Sequence, residues 1–411
     1  MALEIHSKQL SAELEHLTSF SDAPAPAVTR VVFSRVDLAA REYVKSLCAM
    51  AGLTIREDAV GNTFCRWTGE DRALPAVGTG SHIDAIPHAG AYDGTVGVLG
   101  GLEAIRALQR SGFQPRRSIE LLLFTSEEPT LFGIGCLGSR LLSGSLDAHA
   151  AGDLTDRDGR KLDEIRGAAG FSGSLASIRL PNGYYDSFVE LHIEQGPLLE
   201  RENLALGVVT AIAAPASLRV FIEGEGGHAG AVLMPDRRDA FLAAAEIALA
   251  VESAAKSTGA VDTVGTVGVC EVFPGAINSI PSRVKIEIDI RDIDLVRRDA
   301  ALSAVREMCE KVRDKRRVEI RVETINADAP AQSSPKILAA LTGACESVGL
   351  PFLSMVSRAY HDSLFMSRIV PTAMLFVRCR GGVSHRPDEY SSPEDIAAGA
   401  LVLAETLKRL C

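Results

Sequence analysis

Apolar residues recur at helical spacing through the first fifty-odd positions, most plainly in DLAAREYVKSLCAMAGL (37–53) and, with a more polar surface, in MALEIHSKQLSAELEHL (1–17). The period then shortens. IREDAVGNTFCRW (55–67) predicts two short strands about the turn pair Gly61-Asn62. ALPAVGTGSHID (73–84) predicts a strand running into a loop, and GTVGVLGGLEAIRALQRSG (94–112) a small-residue-rich helix closed by Gly112. RSIELLLFTSEE (117–128) is the next strand, and its unbroken Leu121-Leu122-Leu123-Phe124 run marks burial on both faces. Strand, helix and strand in that order, with apolar strands, predict an α/β sheet with parallel pairs. Near 207 the pattern changes to alternation. SLRVFIEGEG, DTVGTVGVCEVFP, RVKIEIDIRDID and VEIRVETIN read as half-exposed strands, and RDAFLAAAEIALAVESAAKS and LVRRDAALSAVREMCEKVRDKRR as amphipathic helices. The resulting β-α-β-β-α-β order is a compact unit of its own. Apolar α/β texture resumes at SPKILAALTGACESVGL, continues through the buried strand TAMLFVRC, and ends in SPEDIAAGALVLAETLKRL, where Ser392 caps a helix with Pro393 at its first position. The chain therefore reads as one domain over 1–206 and 330–411 interrupted by an inserted domain over 207–329.

Composition narrows the partners. The 411 residues carry a net charge of −10, and the one basic cluster, KVRDKRR (311–317), falls at a predicted helix end, so nucleic acid is excluded as an expected partner. No stretch has the length and hydropathy to span a bilayer, and the N-terminal stretch lacks a signal-like apolar core. The cytoplasm is the default expectation; an organelle such as the endoplasmic reticulum stays open if a leader has been removed. Eight scattered cysteines, none in a CxxC pair, suit a reducing compartment and exclude a thiolate metal site.

The chemistry concentrates just after the apolar strands, where open α/β sheets carry their sites. Glu127 and Glu128 stand side by side at the end of a buried strand, an arrangement whose repulsion a cation would relieve. His82, Asp84 and Asp93 lie in GSHIDAIPHAGAYDG, His192 in FVELHIEQG and His385 in GGVSHRPDE. Imidazoles with carboxylates are ligands for borderline divalent metals. One ion could be seated by His82 and His192 and a second by Glu128 and His385, with Asp93 between them and Asp84 orienting His82. Taken singly, Asp93-Gly94 also fits a simple turn, the paired glutamates fit a solvent-facing cap, and each histidine fits a hydrogen-bonded strand end. His88 is read as a loop residue at the pocket rim.

GSHID, Asp93-Gly94, TSEEP, HIEQG and the late Ser-His pair resemble the co-catalytic metal amidohydrolases related to aminoacylases and di-zinc carboxypeptidases. ELHIEQGPLLE, GGHAGAVLMPDRRDA, PGAINSIPS and SRAYHDSLFM are similar to the branch containing N-carbamoyl-L-amino-acid hydrolases, β-ureidopropionase and allantoate amidohydrolase. The resemblance implies a mixed-sheet α/β metallohydrolase domain with a ferredoxin-like βαββαβ insertion serving as lid and dimerisation domain. It implies two divalent ions per subunit, manganese preferred and zinc compatible, held by His82, Asp93, Glu128, His192 and His385, with Glu127 as general base. It assigns substrate contacts to Gln195, Asn278, Arg291, Tyr360 and His361, and an oxyanion contact to His228 from the lid of a partner subunit in a homodimer. Asp289 and Asp292 beside Arg291 offer that guanidinium an ordinary ion pair instead. The implied reaction is hydrolysis of a ureido C–N bond in a small carboxylate. (S)-Ureidoglycolate is the leading substrate, yielding glyoxylate, ammonia and carbon dioxide in purine catabolism, and allantoate or an N-carbamoyl amino acid the alternative.

Overall fold

The computed structural model describes residues 3–411. The N-terminal periodicity folds as helices Ser7–Thr18 and Arg35–Met50, the second capped by Ser34, whose side chain accepts from the Asp37 amide; residues 1 and 2 of the first expected helix lie outside the described residues. Thr54–Glu57 (β1) and Thr63–Trp67 (β2) form the antiparallel hairpin expected around Gly61, which sits at φ 94°. Then follow Ala76–His82 (β3), Thr95–Arg110 (α1), Ile119–Phe124 (β4), Tyr185–Ile193 (β5) and Leu206–Ile212 (β6). After them come Ala214–Glu223 (β7), Ala240–Ser257 (α2), Val264–Phe273 (β8), Arg283–Asp292 (β9), Leu295–Arg316 (α3) and Glu319–Ala327 (β10). Pro335–Val348 (α4), Thr372–Val377 (β11) and Pro393–Leu410 (α5) complete the main elements.

The chain divides into two compact units, one running to Ala211 and resuming at Gln332, the other Ile212–Ala331. In the first, seven strands of a nine-stranded sheet run β6-β11-β5-β3-β4-β2-β1; Ala331–Gln332 and Phe352–Ser357 both add beside β6. Its central pairs, β11 with β5, β5 with β3 and β3 with β4, are parallel. The flanking pairs are antiparallel. The fold is thus mixed α/β. The Leu121–Phe124 run is continuous because both faces are covered. Leu121 and Leu123 pack with Leu99 and Leu102 of α1 and Leu403 of α5, while Leu122 and Phe124 pack with Phe64, Leu141 and Phe188 on the other side. Register aligns the strand ends, with His82 beside Phe124 and His192 beside Phe376. The loops that follow therefore emerge together at one edge.

Two features depart from the sequence pattern. Helices Leu137–Ser143, Ala148–Gly152 and Leu162–Ala168 occupy a stretch to which periodicity assigns nothing, each being too short to establish a period. Ala85–Ala89 is a strand paired with Val28–Arg30, so the exposed His88 lies in a strand and not in the expected loop.

The second unit is an antiparallel sheet ordered β8-β9-β7-β10. Leu218, Val220, Ile222, Ile286 and Ile288 turn one face toward α2 and α3. The alternation read from the sequence is that of a sheet covered on one side only. The KVRDKRR cluster forms the solvated end of α3, where Lys315 and Arg316 both reach Glu246.

Candidate active site

Five candidate ligands meet at the carboxyl ends of the parallel strands. His82 is the last residue of β3, His192 lies one residue from the end of β5, Glu128 follows β4, His385 follows β11, and Asp93 precedes α1. Asp93 Oδ1 lies 3.2 Å from His192 Nε2 and 3.5 Å from His82 Nε2. Its other oxygen, Oδ2, lies 3.5 Å from His385 Nε2, which in turn is 3.3 Å from Glu128 Oε1. Two ligand groups result, His82–Asp93–His192 and Asp93–Glu128–His385, and in each the donor atoms lie within 4.8 Å of one another. They share Asp93 and use different oxygens of it. A third group, Glu190–His192–His361, also meets that spacing. Its donors are already engaged, because Glu190 accepts from Ser81 Oγ and the Ser363 amide, and His361 Nε2 contacts Ser357 Oγ at 2.9 Å.

Gly94 makes the Asp93 approach feasible. It holds φ 67°, and a Cβ there would stand 2.5 Å from His82 Nε2. The imidazoles are oriented through their far nitrogens: His82 Nδ1 is 3.0 Å from the Asp84 carbonyl and His192 Nδ1 2.9 Å from the Ile193 carbonyl, leaving both Nε2 atoms toward Asp93. Asp84 thus orients His82 through its carbonyl and not its side chain. Its carboxylate, 3.7 Å from His82 Nδ1, instead accepts the main-chain amides of Glu127 and Glu128 at 3.2 and 3.1 Å. A buried carboxylate thereby sets the turn that carries both glutamates.

Glu127 belongs to neither ligand group. Its Oε2 is 3.7 Å from His82 Nε2, and its Oε1 accepts from Cys136 Sγ at 3.5 Å. The electrostatics reflect a surplus of acid. Burial, reinforced by Glu128, Asp362 and Asp93, holds the Glu127 carboxyl well above its usual range despite His82. Burial and Asp93 do the same to Glu128. Burial by itself would raise Asp93 too, but His192 and His82 outweigh it and hold Asp93 well below the carboxylate range. Burial opposes protonation of His82, yet Glu127, Asp93 and Asp84 raise it well above an ordinary imidazole. His361, buried and beside His192, is held well below. This crowd of carboxylates is one that a divalent cation would relieve, and the imidazole and carboxylate donors suit such an ion.

Backbone conformation adds a further mark. Ser126, Cys136, Gln195 and His385 all adopt positive φ, between 56° and 59°, without being glycine. Such conformations persist where surroundings over-determine them, and they cluster at functional sites.

A sequence profile of the peptidase family M20/M25/M40 matches residues 78–409. The chain belongs to this family. It is 54% identical over 416 residues to the ureidoglycolate hydrolase of Arabidopsis thaliana, covering 100% of this chain and 87% of the relative. It is 52% identical over 411 residues to the ureidoglycolate hydrolase of Oryza sativa subsp. japonica, with 99% and 85% covered. The crystal structure of AtUAH in complex with (S)-hydroxyglycine superposes with a TM-score of 0.90 at 53% identity, covering 100% of this chain and 98% of that one.

The remaining candidates of this M20/M25/M40 chain divide between the units. In the first, Gln195 Nε2 donates to Asp93 Oδ2 at 2.6 Å, while its buried Oε1 has no donor among the described residues. Tyr360 receives Arg140 Nη2 at 3.5 Å, and His361 stacks edge-on to His192 with ring centroids 4.5 Å apart. Asp362 takes the Ser139 hydroxyl at 2.5 Å and so holds the 137–143 helix. In the second unit, exposed His228 and Asn278 are neighbours: His228 pairs with Ser279, and the Ala229 amide donates to the Asn278 carbonyl at 2.9 Å. Arg291 binds Asp289 through Nε at 2.8 Å and Nη2 at 3.2 Å, the ion pair that its acidic neighbours foreshadow. Sequence reasoning missed Cys136, Ser384 and Glu389. The last two were visible only as polar letters around His385.

Proposed function

We propose that the chain is a metal-dependent hydrolase of the ureido C–N bond of (S)-ureidoglycolate. Residues 1–206 and 330–411 form the di-metal catalytic domain, and 207–329 a ferredoxin-like lid and dimerisation domain. One observation carries the proposal: Asp93 turns one oxygen to His82 and His192 and the other to His385, the arrangement of a shared ligand between two divalent ions. The substrate choice is supported by full-length identity above 50% to two ureidoglycolate hydrolases.

In this reading His82 and His192 hold one ion, Glu128 and His385 the other, with Asp93 common to both. Divalent ions held there, manganese preferred and zinc compatible with the donors, would supply Lewis acidity and lower the pKa of a water. Glu127, uncommitted to either ligand group, takes the proton of that water and delivers it to the leaving nitrogen. Gln195 Oε1, buried without a donor, accepts a ureido N–H. Tyr360 and His361 border the substrate's polar end, with His361 kept neutral by burial. In a homodimer His228 of the partner subunit donates to the developing oxyanion. Asn278 and Arg291 receive the substrate carboxylate, for which a planar guanidinium is suited once it leaves Asp289. Addition of one water releases carbon dioxide, ammonia and hydroxyglycine, and the last collapses to glyoxylate with loss of its amine.

The test is ammonia release by the manganese-loaded protein from (S)-ureidoglycolate, allantoate and N-carbamoyl-β-alanine. Ureidoglycolate should be strongly preferred, with loss of turnover on chelation and recovery on return of metal. Preference for either other substrate overturns the specificity, and activity that survives complete chelation overturns the metal mechanism.

A further inference from the structure

Asp93 can serve as a shared ligand only if its main chain and carboxylate are fixed, and the contacts to its amide and, through Ser384, to Oδ2 converge on one buried side chain. Glu389 Oε1 accepts the main-chain amides of Tyr92 and Asp93 at 2.7 and 3.0 Å. Glu389 Oε2 lies 3.1 Å from Ser384 Oγ, and the same hydroxyl lies 2.5 Å from Asp93 Oδ2. Ser384 directly precedes the candidate ligand His385. The carboxylate therefore ties the Asp93 loop to the His385 loop, although nearly three hundred residues separate them. The 90s loop rests against the side chain itself. A Cβ on Gly90 would stand 2.3 Å from Glu389 Cβ and 2.5 Å from its Cδ and Oε1, so the loop has no room to move closer.

We propose that Glu389 is a positioning residue that assembles the Asp93–Glu128–His385 half of the metal centre by holding the Asp93 and His385 loops in register. The proposal deepens the reading of Asp93 as a shared ligand and rests on it. Reach, and not charge, is the operative property. A glutamine keeps the acceptor for both amides. Its Nε2 would donate to Ser384 Oγ and leave the single hydroxyl proton for Asp93. An aspartate keeps the charge but is one methylene too short to hold the amides at bonding distance.

The experiment is calorimetric titration of the metal-stripped protein with Mn²⁺, for wild type, Glu389→Gln, Glu389→Asp and Glu389→Ala. Wild type and Glu389→Gln should each bind two equivalents with closely similar affinities. In Glu389→Asp and Glu389→Ala one of the two equivalents should weaken by about 10- to 100-fold, the usual effect of losing a group that orients a ligand. If Glu389→Ala does not fold, the order of the other two variants decides. Aspartate equal to or better than glutamine overturns the proposal, as does Glu389→Ala binding two equivalents with wild-type affinity. A wild-type stoichiometry below two overturns the shared-ligand reading and this proposal with it. Wild type at two equivalents with the wrong variant order overturns the proposal alone.

Discussion

Replacing Gly94 by alanine isolates the packing that lets Asp93 approach the histidines. The new Cβ would lie 2.5 Å from His82 Nε2 and 2.6 Å from Cδ2 and Cε1, against the working edge of the imidazole. Non-bonded carbon atoms settle near 3.5 Å, so ring and loop must part by about 1 Å. The ring retreats poorly, because its Nδ1 is bonded to the Asp84 carbonyl at 3.0 Å. Backbone strain is a separate effect: at φ 67° and ψ −43° an L-residue lies outside even the left-handed helical well, whose cost is about 1–2 kcal/mol, so the strain here exceeds that. Gly112 supplies the control, since it holds φ 77° with nothing within 4 Å of a Cβ. Gly112→Ala should therefore lose about 1–2 kcal/mol of stability with unchanged metal binding. Gly94→Ala should lose more than that, because the clash adds to the strain, and also about 100-fold in kcat/KM, the scale of a 1 Å misplacement in a reacting constellation. Denaturant unfolding of both variants, steady-state kinetics under saturating Mn²⁺, and metal titration check each part. Wild-type affinity and turnover in Gly94→Ala, or equal catalytic loss in Gly112→Ala, would refute the claim that this glycine acts through His82.

Other outcomes follow from the same contacts. Glu127→Gln keeps the side chain's shape and its acceptor toward Cys136, so metal content should stay near wild type while kcat falls by about 10²- to 10⁴-fold, or about 3–5 kcal/mol of barrier. Glu128→Gln should instead deplete metal, and elemental analysis alongside kinetics separates the two; depletion by Glu127→Gln would mean their roles are exchanged. Asp292 receives Arg297, the Thr263 hydroxyl and the Asp294 amide. Burial would raise this carboxyl, but Arg297 and Thr263 outweigh it and hold it below the ordinary range. Its native pKa being depressed, the stabilisation is full above about pH 3.9 and is lost as pH falls through the native value. Asp292→Asn should cost about 1–3 kcal/mol at neutral pH and flatten that acid limb in urea titrations; an unchanged limb would count against the assignment.

What the sequence disclosed, and what it hid, has a physical pattern. The parallel strands were legible because burial on both faces leaves a continuous apolar run, and the second unit because burial on one face leaves alternation. The paired glutamates stood out because charge at the end of such a run needs a partner. The supports of the site left no comparable trace. Glu389 works through main-chain amides 296 and 297 residues away, and any residue at positions 92 and 93 other than proline would provide them. Asp84 likewise acts through its carboxylate on the amides of Glu127 and Glu128, while its carbonyl holds the imidazole two residues before it. The left-handed residues were hidden because serine, cysteine, glutamine and histidine do not advertise positive φ as glycine does. The 137–143 helix begins at one of them, Cys136, with no side-chain cap to announce it.

Those hidden supports bear on what bound cations would do for the proposed centre beyond chemistry. Four non-glycine residues at positive φ represent about 4–8 kcal/mol of strain, at about 1–2 kcal/mol each, comparable with the whole stability of an ordinary domain. The buried acids Asp84, Glu128 and Asp362 around the site are all held above their usual range, and Asp362 Oδ2 has no donor among the described residues. A divalent ion present at 100 times its dissociation constant would return about 2.7 kcal/mol, and the two of the proposed centre about 5 kcal/mol, the same order as the strain. On the proposed reading, the strained segment around Asp93 would be stabilised by the ions it binds. Metal affinity, loop geometry and local stability should then rise and fall together across substitutions at Gly94, Ser384 and Glu389.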